Sequence, residues 1–165
     1  MINSISLIGM AGAGKSSVGR ELSKVLDFTF IDSDDLIEAK YGKNLQEILN
    51  DEGYIKLREI ENLIIKDIHF DRTILSTGGS AVYSNEAMAH IQKNSNVIFL
   101  DVPFNQILER VPSFLERGFA KAPSQSIEDA FAERQTLYET YSHYRVSNAK
   151  DLNSCITKII ELFQT

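Results

Sequence analysis

The sequence predicts a three-layer α/β/α sandwich around a parallel sheet of five strands. Two observations lead to this fold class. Short apolar runs of strand type alternate with helical or loop segments, and a glycine-rich loop joins the first run to the first helix. Such alternation is typical of parallel sheets that helices cover on both faces. The five strand-like runs lie at residues 5–8, 28–32, 73–77, 97–102 and 143–147.

The loop after the first run reads GMAGAGKSS at residues 9–17 and matches the phosphate-loop pattern G-x-x-x-x-G-K-[ST] without a gap. Backbone N–H groups in such a loop point at phosphate oxygens, and the following helix adds the positive end of its dipole. The alternative, a turn that only caps a helix, is disfavoured because a strand-like run precedes the loop and helically spaced apolar residues follow it. We therefore predict a P-loop NTPase-type fold.

Three side chains of this loop have the chemistry that phosphoryl transfer requires. Lys15 would reach the outer phosphates, the Ser16 hydroxyl would ligate a magnesium ion that bridges two phosphates, and Ser17 would add a donor in the first helical turn. A cation at this position neutralises charge on the transferring group. We therefore expect Lys15 to be catalytic.

The second run ends in DSDD at residues 32–35, at the carboxyl edge of the predicted sheet, where open α/β folds bind their ligands. Asp32 could hold magnesium through a water molecule, and Asp34 could accept a hydrogen bond from an attacking hydroxyl and orient it. The alternative is that these acids cap a helix that begins near Leu36. Capping and catalysis can coexist, so both interpretations stay open.

The longest helical stretch lies between the second and third runs, where apolar stripes at residues 45–49 and 57–68 predict two helices separated by Gly53. Arg58 and Glu61 lie three residues apart on the second helix and therefore share a face. Such a pair is ordinarily a solvated ion pair, and by itself it names no ligand.

Two loops complete the predicted site. The third run leads into TGGSAV at residues 77–82, where Gly78 and Gly79 either offer backbone N–H groups to a ligand or form an ordinary turn. The segment PSFLERGFAKAPSQS at residues 112–126 contains two of the three prolines, which predicts a mobile surface loop. A nucleotide kinase needs such a lid, because water must be kept from the terminal phosphate until the acceptor is bound.

Composition and charge restrict the class of protein. Hydrophobic residues make up 43% of the 165 residues and charged residues 24%, which is ordinary for one globular domain over residues 1–165. The net charge of −6 argues against a nucleic-acid partner. No apolar stretch approaches the ~18 residues of a membrane span, and the single cysteine, Cys155, lies in an amphipathic segment and is expected in the core. We expect a cytoplasmic monomer that acts on a small molecule, without a membrane partner.

Six motifs follow one another along the chain, namely GMAGAGKSS, DSD, LREIE, TGGSAV, the arginine-flanked lid and ERQTLY. In these motifs and their order, the chain resembles the shikimate kinase family over nearly the whole sequence. The resemblance implies magnesium-dependent phosphoryl transfer from ATP to the 3-hydroxyl of shikimate, a step of the chorismate route to aromatic amino acids. It also implies that helices at about residues 34–68 bind the acceptor. The residues implied to bind ATP are Gly12, Ala13, Gly14, Lys15, Ser16 and Ser17.

The same resemblance assigns roles outside the phosphate loop. It implies that Arg58 and Arg134 grip the carboxylate of shikimate, while Asp34 holds ring hydroxyls and Gly79 also contacts the molecule. Two guanidinium groups can hold a carboxylate bidentately, so this assignment is chemically coherent.

Arg110 and Arg117 match the positions where the family contacts adenine and covers the phosphates. Arg117 thereby joins Lys15 and Asp34 as a candidate catalytic residue. The alternative for both arginines is an ordinary place on the surface, since most exposed arginines have no other role.

The chain departs from the family pattern in two places. The family lid usually continues from its arginine as RPLL, whereas this chain has RGFA at residues 117–120, and the usual glycine triplet is GGS at residues 78–80. Glycine at position 118 gives the open lid more backbone freedom than proline does. From the sequence we therefore expect Gly118→Pro to tighten ligand binding slightly.

Two rival functions remain at this stage. One is a related kinase of another small hydroxylated metabolite such as gluconate, and the other is a nucleotide-binding switch. The switch is disfavoured because SNAKD at residues 147–151 resembles the guanine-binding NKxD stretch but has the wrong spacing. Asp101, which ends the fourth run, competes with Asp32 for magnesium. We prefer Asp32, because the resemblance places the strand of Asp101 away from the phosphate loop.

Overall fold

A parallel five-stranded sheet forms the centre of the protein. The computed structural model describes residues 3–164, and all four strand pairs in it are parallel, in the order β2-β3-β1-β4-β5. The predicted strands are confirmed, with ends that differ by one residue at most. They are β1 (Ile5–Ile8), β2 (Thr29–Asp32), β3 (Thr73–Ser76), β4 (Asn96–Asp101) and β5 (Tyr144–Ser147).

Seven α-helices connect or follow these strands in the described part of the chain. They are α1 (Lys15–Leu26), α2 (Ser33–Tyr41), α3 (Leu45–Lys66), α4 (Asn85–Asn94), α5 (Phe104–Arg110), α6 (Ile127–Tyr141) and α7 (Leu152–Glu161). Short 3₁₀ turns lie at Ala81–Tyr83 and Phe114–Glu116. None of the helices within residues 3–164 combines the length and the hydrophobicity that crossing a bilayer requires.

The order of the strands places the helices on both faces of the sheet. The chain leaves β1 for β2 at one edge and later leaves β3 for β4 on the other side of β1. Because parallel crossovers are right-handed, these opposite moves put α1 and α4 on opposite faces. Accordingly, α1 packs with α7 while α4 packs with α3. The carboxyl end of β1, where the phosphate loop begins, lies in the middle of the sheet.

The core follows the apolar runs of the sequence. All residues of β1 and β3 are buried, and Cys155 is fully buried as expected. In α1, Val18 and Leu22 are buried, but Val25 is 60% exposed. The apolar face of α1 continues instead through Leu26, four positions after Leu22, which is partly buried against the core.

Helix α3 consists of two limbs, as predicted. Gly53 has φ +83° and ψ 168°, which interrupts the helix, and Asn44 and Glu47 form a capping box at its start. A second apolar cluster lies where α2 and α3 meet, and it includes Ala120 of the lid. The lid therefore packs on the two helices that were predicted to bind the acceptor.

Candidate active site

The phosphate loop connects β1 to α1, and its glycines are required by both conformation and space. Gly12 has φ +83° and Gly14 has φ +91°. An added Cβ would lie 2.4 Å from Val111 Cγ2 at Gly12 and 2.5 Å from Asn148 Nδ2 at Gly14. Side chains are thus excluded on the outer side of the loop, where α5 and the end of β5 pack against it.

Asn148 holds the phosphate loop from outside, a role that the sequence analysis missed. The buried Asn148 side chain donates from Nδ2 to the Ala13 carbonyl at 2.7 Å. Arg110 donates to the Asn148 carbonyl at 2.8 Å and to the Gly12 carbonyl at 3.4 Å. The SNAKD stretch at residues 147–151 lacks the spacing of a guanine-binding NKxD stretch. Its asparagine lies at the nucleotide loop for a different reason, because β4 alone separates β5 from β1.

Lys15 is buried and donates from Nζ to the carbonyls of Gly9 and Met10, both at 2.8 Å. Burial lowers the pKa of Lys15 to about 8, although the nearby carboxylates of Asp34 and Asp32 oppose that shift. The ammonium group is therefore charged at neutral pH. Its donors are held by loop carbonyls, which phosphate oxygens can replace as acceptors.

Ser16 and Asp32 meet at the mouth of the phosphate loop. The Ser16 hydroxyl donates to Asp32 Oδ2 at 2.5 Å and lies 3.3 Å from the hydroxyl of Ser76. Asp32 Oδ1 accepts from the backbone N–H of Asp34 at 3.0 Å, so Asp32 is the N-cap of α2. The helix begins at Ser33, earlier than the predicted start near Leu36, and the capping interpretation is correct for Asp32 without removing it from the magnesium position.

The oxygen atoms at this position fit magnesium better than a metal held by the protein alone. Within residues 3–164, no group of three His, Cys, Asp or Glu side chains is arranged to hold a metal ion. Magnesium commonly uses one or two protein oxygens together with water and substrate phosphates. Ser16 and Asp32 offer such an incomplete set beside a loop that is shaped for phosphates.

The preference for Asp32 over Asp101 as the magnesium ligand was based on a wrong expectation, that the strand of Asp101 lies away from the phosphate loop. Strand β4 is the immediate neighbour of β1, so Asp101 does not lie away from the phosphate-loop strand. Its carboxylate instead accepts from Arg145 Nε at 3.1 Å and Arg145 Nη2 at 2.8 Å. This ion pair occupies Asp101, and Asp32 stays the candidate because it contacts Ser16.

A cavity adjoins the phosphate-loop pocket, and residues 117–120 of the lid line one side of it. Glu61, Phe119 and Arg134 line the cavity but not the loop pocket. The two spaces share five lining residues, which are Ala11, Asp34, Gly78, Gly79 and Arg117. The predicted Asp34, Gly78, Gly79 and Arg117 are therefore brought together where the two spaces meet, and Arg134 lies in the adjoining cavity.

Two carboxylates face this cavity. Burial raises the pKa of Asp34 to about 7, and the carboxylates of Glu61 and Asp32 add to the effect. Glu61 is only 3% exposed, accepts from the Ser80 hydroxyl at Oε2 over 2.6 Å, and has no partner at Oε1 among the described residues. The ordinary interpretation of Arg58 and Glu61 as a solvated ion pair was therefore wrong.

Two arginines converge on one carbonyl oxygen of the lid. Nη2 of Arg58 and Nη2 of Arg134 each donate to the Ala120 carbonyl at 2.8 Å. The Nε atoms of both are buried without a partner, and within residues 3–164 neither guanidinium forms an ion pair with a carboxylate. Arg134 is 1% exposed and lines the cavity, whereas Arg58 lies outside the lining. Such unpaired buried cations suit an anionic ligand.

The glycine turn differs from the prediction at Gly78. Its N–H donates to the Ser33 hydroxyl at 3.0 Å, so this group is not offered to a ligand. An added Cβ at Gly78 would lie 2.3 Å from Glu61 Oε1 and 2.8 Å from Asp34 Oδ1. Gly78 therefore matters because it leaves space for the two carboxylates, while Gly79 lines both pockets.

The lid seats on α3 through Gly118. Its N–H donates to Gln46 Oε1 at 2.8 Å, and its φ is +64°. Proline can neither adopt this φ nor donate a hydrogen bond, so the expectation that Gly118→Pro tightens binding was wrong. The next residue, Phe119, is buried with its ring 4.0 Å from Arg134 Cζ. Arg117 is exposed and lines both pockets, and Arg110 lies on the outer side of the phosphate loop.

Comparison with known proteins agrees with this geometry. A family model described as shikimate kinase matches residues 11–164. A shikimate kinase of Sulfurihydrogenibium sp. (strain YO3AOP1) is 33% identical over 160 residues, which cover 96% of each chain. A shikimate kinase from Acinetobacter baumannii in complex with shikimate has a TM-score of 0.90 at 28% identity, with 99% of this chain and 93% of that chain covered. The shikimate kinase of Aquifex aeolicus vf5 has a TM-score of 0.85 at 29% identity, covering 98% and 96%.

Proposed function

This chain belongs to the shikimate kinase family, and from that premise and the geometry of its cavity we propose that it transfers the terminal phosphoryl group of ATP to the 3-hydroxyl of shikimate. The products are shikimate 3-phosphate and ADP, and magnesium is the metal. The observation that carries the proposal is the pair of arginines at the lid carbonyl of Ala120, Arg134 buried and Arg58 partly buried, whose buried Nε donors have no partner among the described residues. A cyclic polyol with one carboxylate matches a cavity whose lining includes the cations Arg117 and Arg134 and the carboxylates Asp34 and Glu61.

The residues of the phosphate loop hold the donor. Backbone N–H groups of residues 12–17 and the N-terminus of α1 face the phosphates, and Lys15 neutralises charge as the phosphoryl group moves. Ser16 and Asp32, which lie in contact, would hold the magnesium ion, and the ion would supply positive charge for phosphoryl transfer. Arg117 lines both pockets, which supports contact with the transferring group from the lid side.

Asp34 orients the acceptor hydroxyl. Its carboxylate lies where the two pockets meet, and its pKa of about 7 suits a group that accepts a proton near neutral pH. Arg134, together with Arg58, anchors the carboxylate of the acceptor at the other end. When the acceptor is held at both ends, one hydroxyl is aligned with the phosphate, so the free energy of binding is used to orient the reacting groups.

The lid at residues 112–126 excludes water from the terminal phosphate while both substrates are bound. Its Ala120 carbonyl already contacts both anchoring arginines, so acceptor binding and lid position share the same donors. That the lid is mobile without ligands stays a prediction, as do the contact of Arg110 with adenine, the monomeric state and the cytoplasmic location.

The deciding experiment measures ADP release with a panel of acceptors. The purified protein is incubated with ATP, magnesium and either shikimate, gluconate or a nucleoside monophosphate, with an acceptor-free reaction as the background. We expect turnover with shikimate to exceed the others, and GTP to replace ATP poorly. A folded sample that binds ATP but releases no ADP above background with shikimate would overturn the proposal. Faster turnover with gluconate would identify the rival kinase instead.

A further inference from the structure

Tyr83 lies between the two arginines that anchor the acceptor, although neither the sequence pattern nor the proposed mechanism uses it. It ends the 3₁₀ turn Ala81–Tyr83 that follows the glycine turn. The Cζ atom of Arg58 lies 3.7 Å from the centre of the Tyr83 ring, and Cζ of Arg134 lies 5.3 Å from it. A second ring, Tyr54, is farther from Arg58, at 5.0 Å.

The Tyr83 ring offsets part of the repulsion between the two arginine cations. Two guanidinium cations that donate to one carbonyl oxygen repel each other, and within residues 3–164 no acidic side chain pairs with either. The negative face of an aromatic ring attracts a cation at the distance seen for Arg58. A carboxylate could also offset this charge, but it would compete with the carboxylate of a ligand for the same donors.

The direction of the contact matters as much as its strength. The N–H groups of a guanidinium point outward in its plane, whereas a ring interacts with its face. Tyr83 therefore holds Arg58 without using its donors, in agreement with the unpartnered Nε. A planar carboxylate needs such in-plane donors, fixed in orientation, for a bidentate contact.

The hydroxyl of Tyr83 links the ring to the second arginine helix. It donates to Glu133 Oε1 at 2.5 Å, and Glu133 precedes Arg134 in α6. Tyr83 thus touches α3 through its ring and α6 through its hydroxyl. These two contributions can be separated, because phenylalanine keeps the ring and leucine keeps neither.

We propose that Tyr83 is a positioning residue for the acceptor carboxylate, whose ring orients the Arg58 guanidinium and reduces its repulsion from Arg134. The inference rests on the proposed function, because it takes the arginine pair to be the carboxylate anchor. Tyr83 does not line the cavity and acts only through the arginines. Its effect belongs in the affinity for the carboxylate and not in the chemical step.

The test compares Tyr83→Leu, Tyr83→Phe and wild type by steady-state kinetics. We expect Tyr83→Leu to raise the KM for shikimate roughly three- to tenfold, which lies within the range for one lost cation–π contact, with the KM for ATP and kcat within about twofold of wild type. Tyr83→Phe should stay close to wild type in all three constants. Tyr144→Leu, at a residue of β5 whose ring packs on Phe163 and which does not line the cavity, is the matched control and should leave the three constants unchanged.

A second acceptor makes the result specific to the carboxylate. The analogue of shikimate with a hydroxymethyl group in place of the carboxylate should lose little in Tyr83→Leu, so the preference for shikimate over this analogue should fall. Tyr83→Met, which fills similar space, gives the same comparison if Tyr83→Leu does not fold. Calorimetric titration of shikimate into each variant should show the same loss of affinity.

Three outcomes would overturn the inference: a wild-type KM for shikimate in Tyr83→Leu and Tyr83→Met, an equal rise in the KM for ATP, or an equal loss in Tyr83→Phe. The last of these would assign the effect to the hydroxyl and not to the ring. Failure of the proposed function looks different, because wild type itself would then neither bind nor phosphorylate shikimate.

Discussion

At the scale of single residues, the site keeps charges buried whose cost is recovered only when ligands bind. Burial shifts three pKa values in the direction that favours the neutral form, lowering that of Lys15 and raising those of Asp34 and Glu61. In addition, the Nε atoms of Arg58 and Arg134 have no partner among the described residues. Groups of this kind weaken the ligand-free fold. They are characteristic of active sites, where stability is exchanged for function.

Lys15→Ala should lower kcat about 10²–10³-fold with little change in thermal stability, because phosphoryl transfer depends on fixed positive charge. The variant loses two hydrogen bonds to loop carbonyls, but it also loses the cost of burying an ammonium group. Lys24→Ala is the matched control on the same helix, where the lysine is exposed and pairs with Glu21. Comparable losses of melting temperature and activity in Lys15→Ala would instead assign a structural role.

Asp34→Asn should abolish the rise of kcat/KM that we expect in wild type near pH 7, because only the ionised carboxylate accepts the hydroxyl proton. Rates are measured from pH 5.5 to 9 with magnesium held constant. Asp35→Asn is the control, since Asp35 is exposed and pairs with Arg20 at 3.6 Å. A rising limb that persists in Asp34→Asn at the same pH would contradict the assignment.

The same variant makes a prediction about stability. The folded protein keeps the Asp34 proton up to about pH 7, while the unfolded chain releases it near its ordinary pKa of 3.8. The contribution of the protonated Asp34 carboxyl to the free energy of unfolding is therefore fully present below about pH 4 and is lost as the pH rises through 7. At pH 8 the ligand-free Asp34→Asn protein should be more stable than wild type, on the order of 1 to 2 kcal/mol by urea unfolding. A less stable variant at pH 8 would show that the carboxylate is held favourably.

At the scale of elements, the contact between the lid and α3 depends on a glycine. Gly118 and Gly42 have the same φ of +64°, but an added Cβ would lie 2.4 Å from Leu45 Cβ at Gly118 and meets nothing within 4 Å at Gly42. Substituting alanine at each of these two glycines therefore distinguishes two effects. Both substitutions strain the backbone, but only the one at Gly118 disturbs a contact between elements. Glycine at position 118 therefore serves mainly to let the lid backbone pack closely against α3. The backbone freedom that glycine gives the lid is a smaller effect.

Gly118→Ala should raise the KM for shikimate roughly tenfold and lower kcat, because the lid cannot seat against Leu45 without moving by the width of a methyl group. Gly42→Ala should cost only about 1 kcal/mol of stability and leave the kinetics unchanged. Amide hydrogen exchange over residues 112–126 should be faster in Gly118→Ala and slower in wild type with both substrates bound. Equal kinetic effects of the two substitutions would mean that strain, and not contact, is responsible.

At the scale of the whole molecule, we predict that fold and metal binding are separable. The proposed magnesium ligands, Ser16 and Asp32, already hydrogen-bond to each other at 2.5 Å in the ligand-free structure, so they have a partner without the metal. EDTA should abolish turnover while the thermal midpoint of the ligand-free protein stays unchanged, and excess magnesium should restore the rate. A fall of the midpoint in EDTA would reveal a structural metal.

The sequence by itself determined the strands, the phosphate loop and the break at Gly53, because these depend on neighbours along the chain. Apolar runs, glycine spacing and a lysine after the last glycine are short-range signals. Motif order also indicated the family and most residues around the cavity. The start of α2 was misjudged because a capping aspartate and a helical aspartate are alike in sequence.

Only the tertiary structure decided how the site residues are used. Asn148 contacts Ala13 across 135 positions, and Arg58 and the lid carbonyl of Ala120 lie 62 positions apart. Burial of Glu61, the raised pKa of Asp34 and the ring of Tyr83 against Arg58 arise from packing between elements. Gly118 illustrates the reason: its φ and its contact with Leu45 are set by where the lid meets α3, and no local pattern encodes the distance between two surfaces.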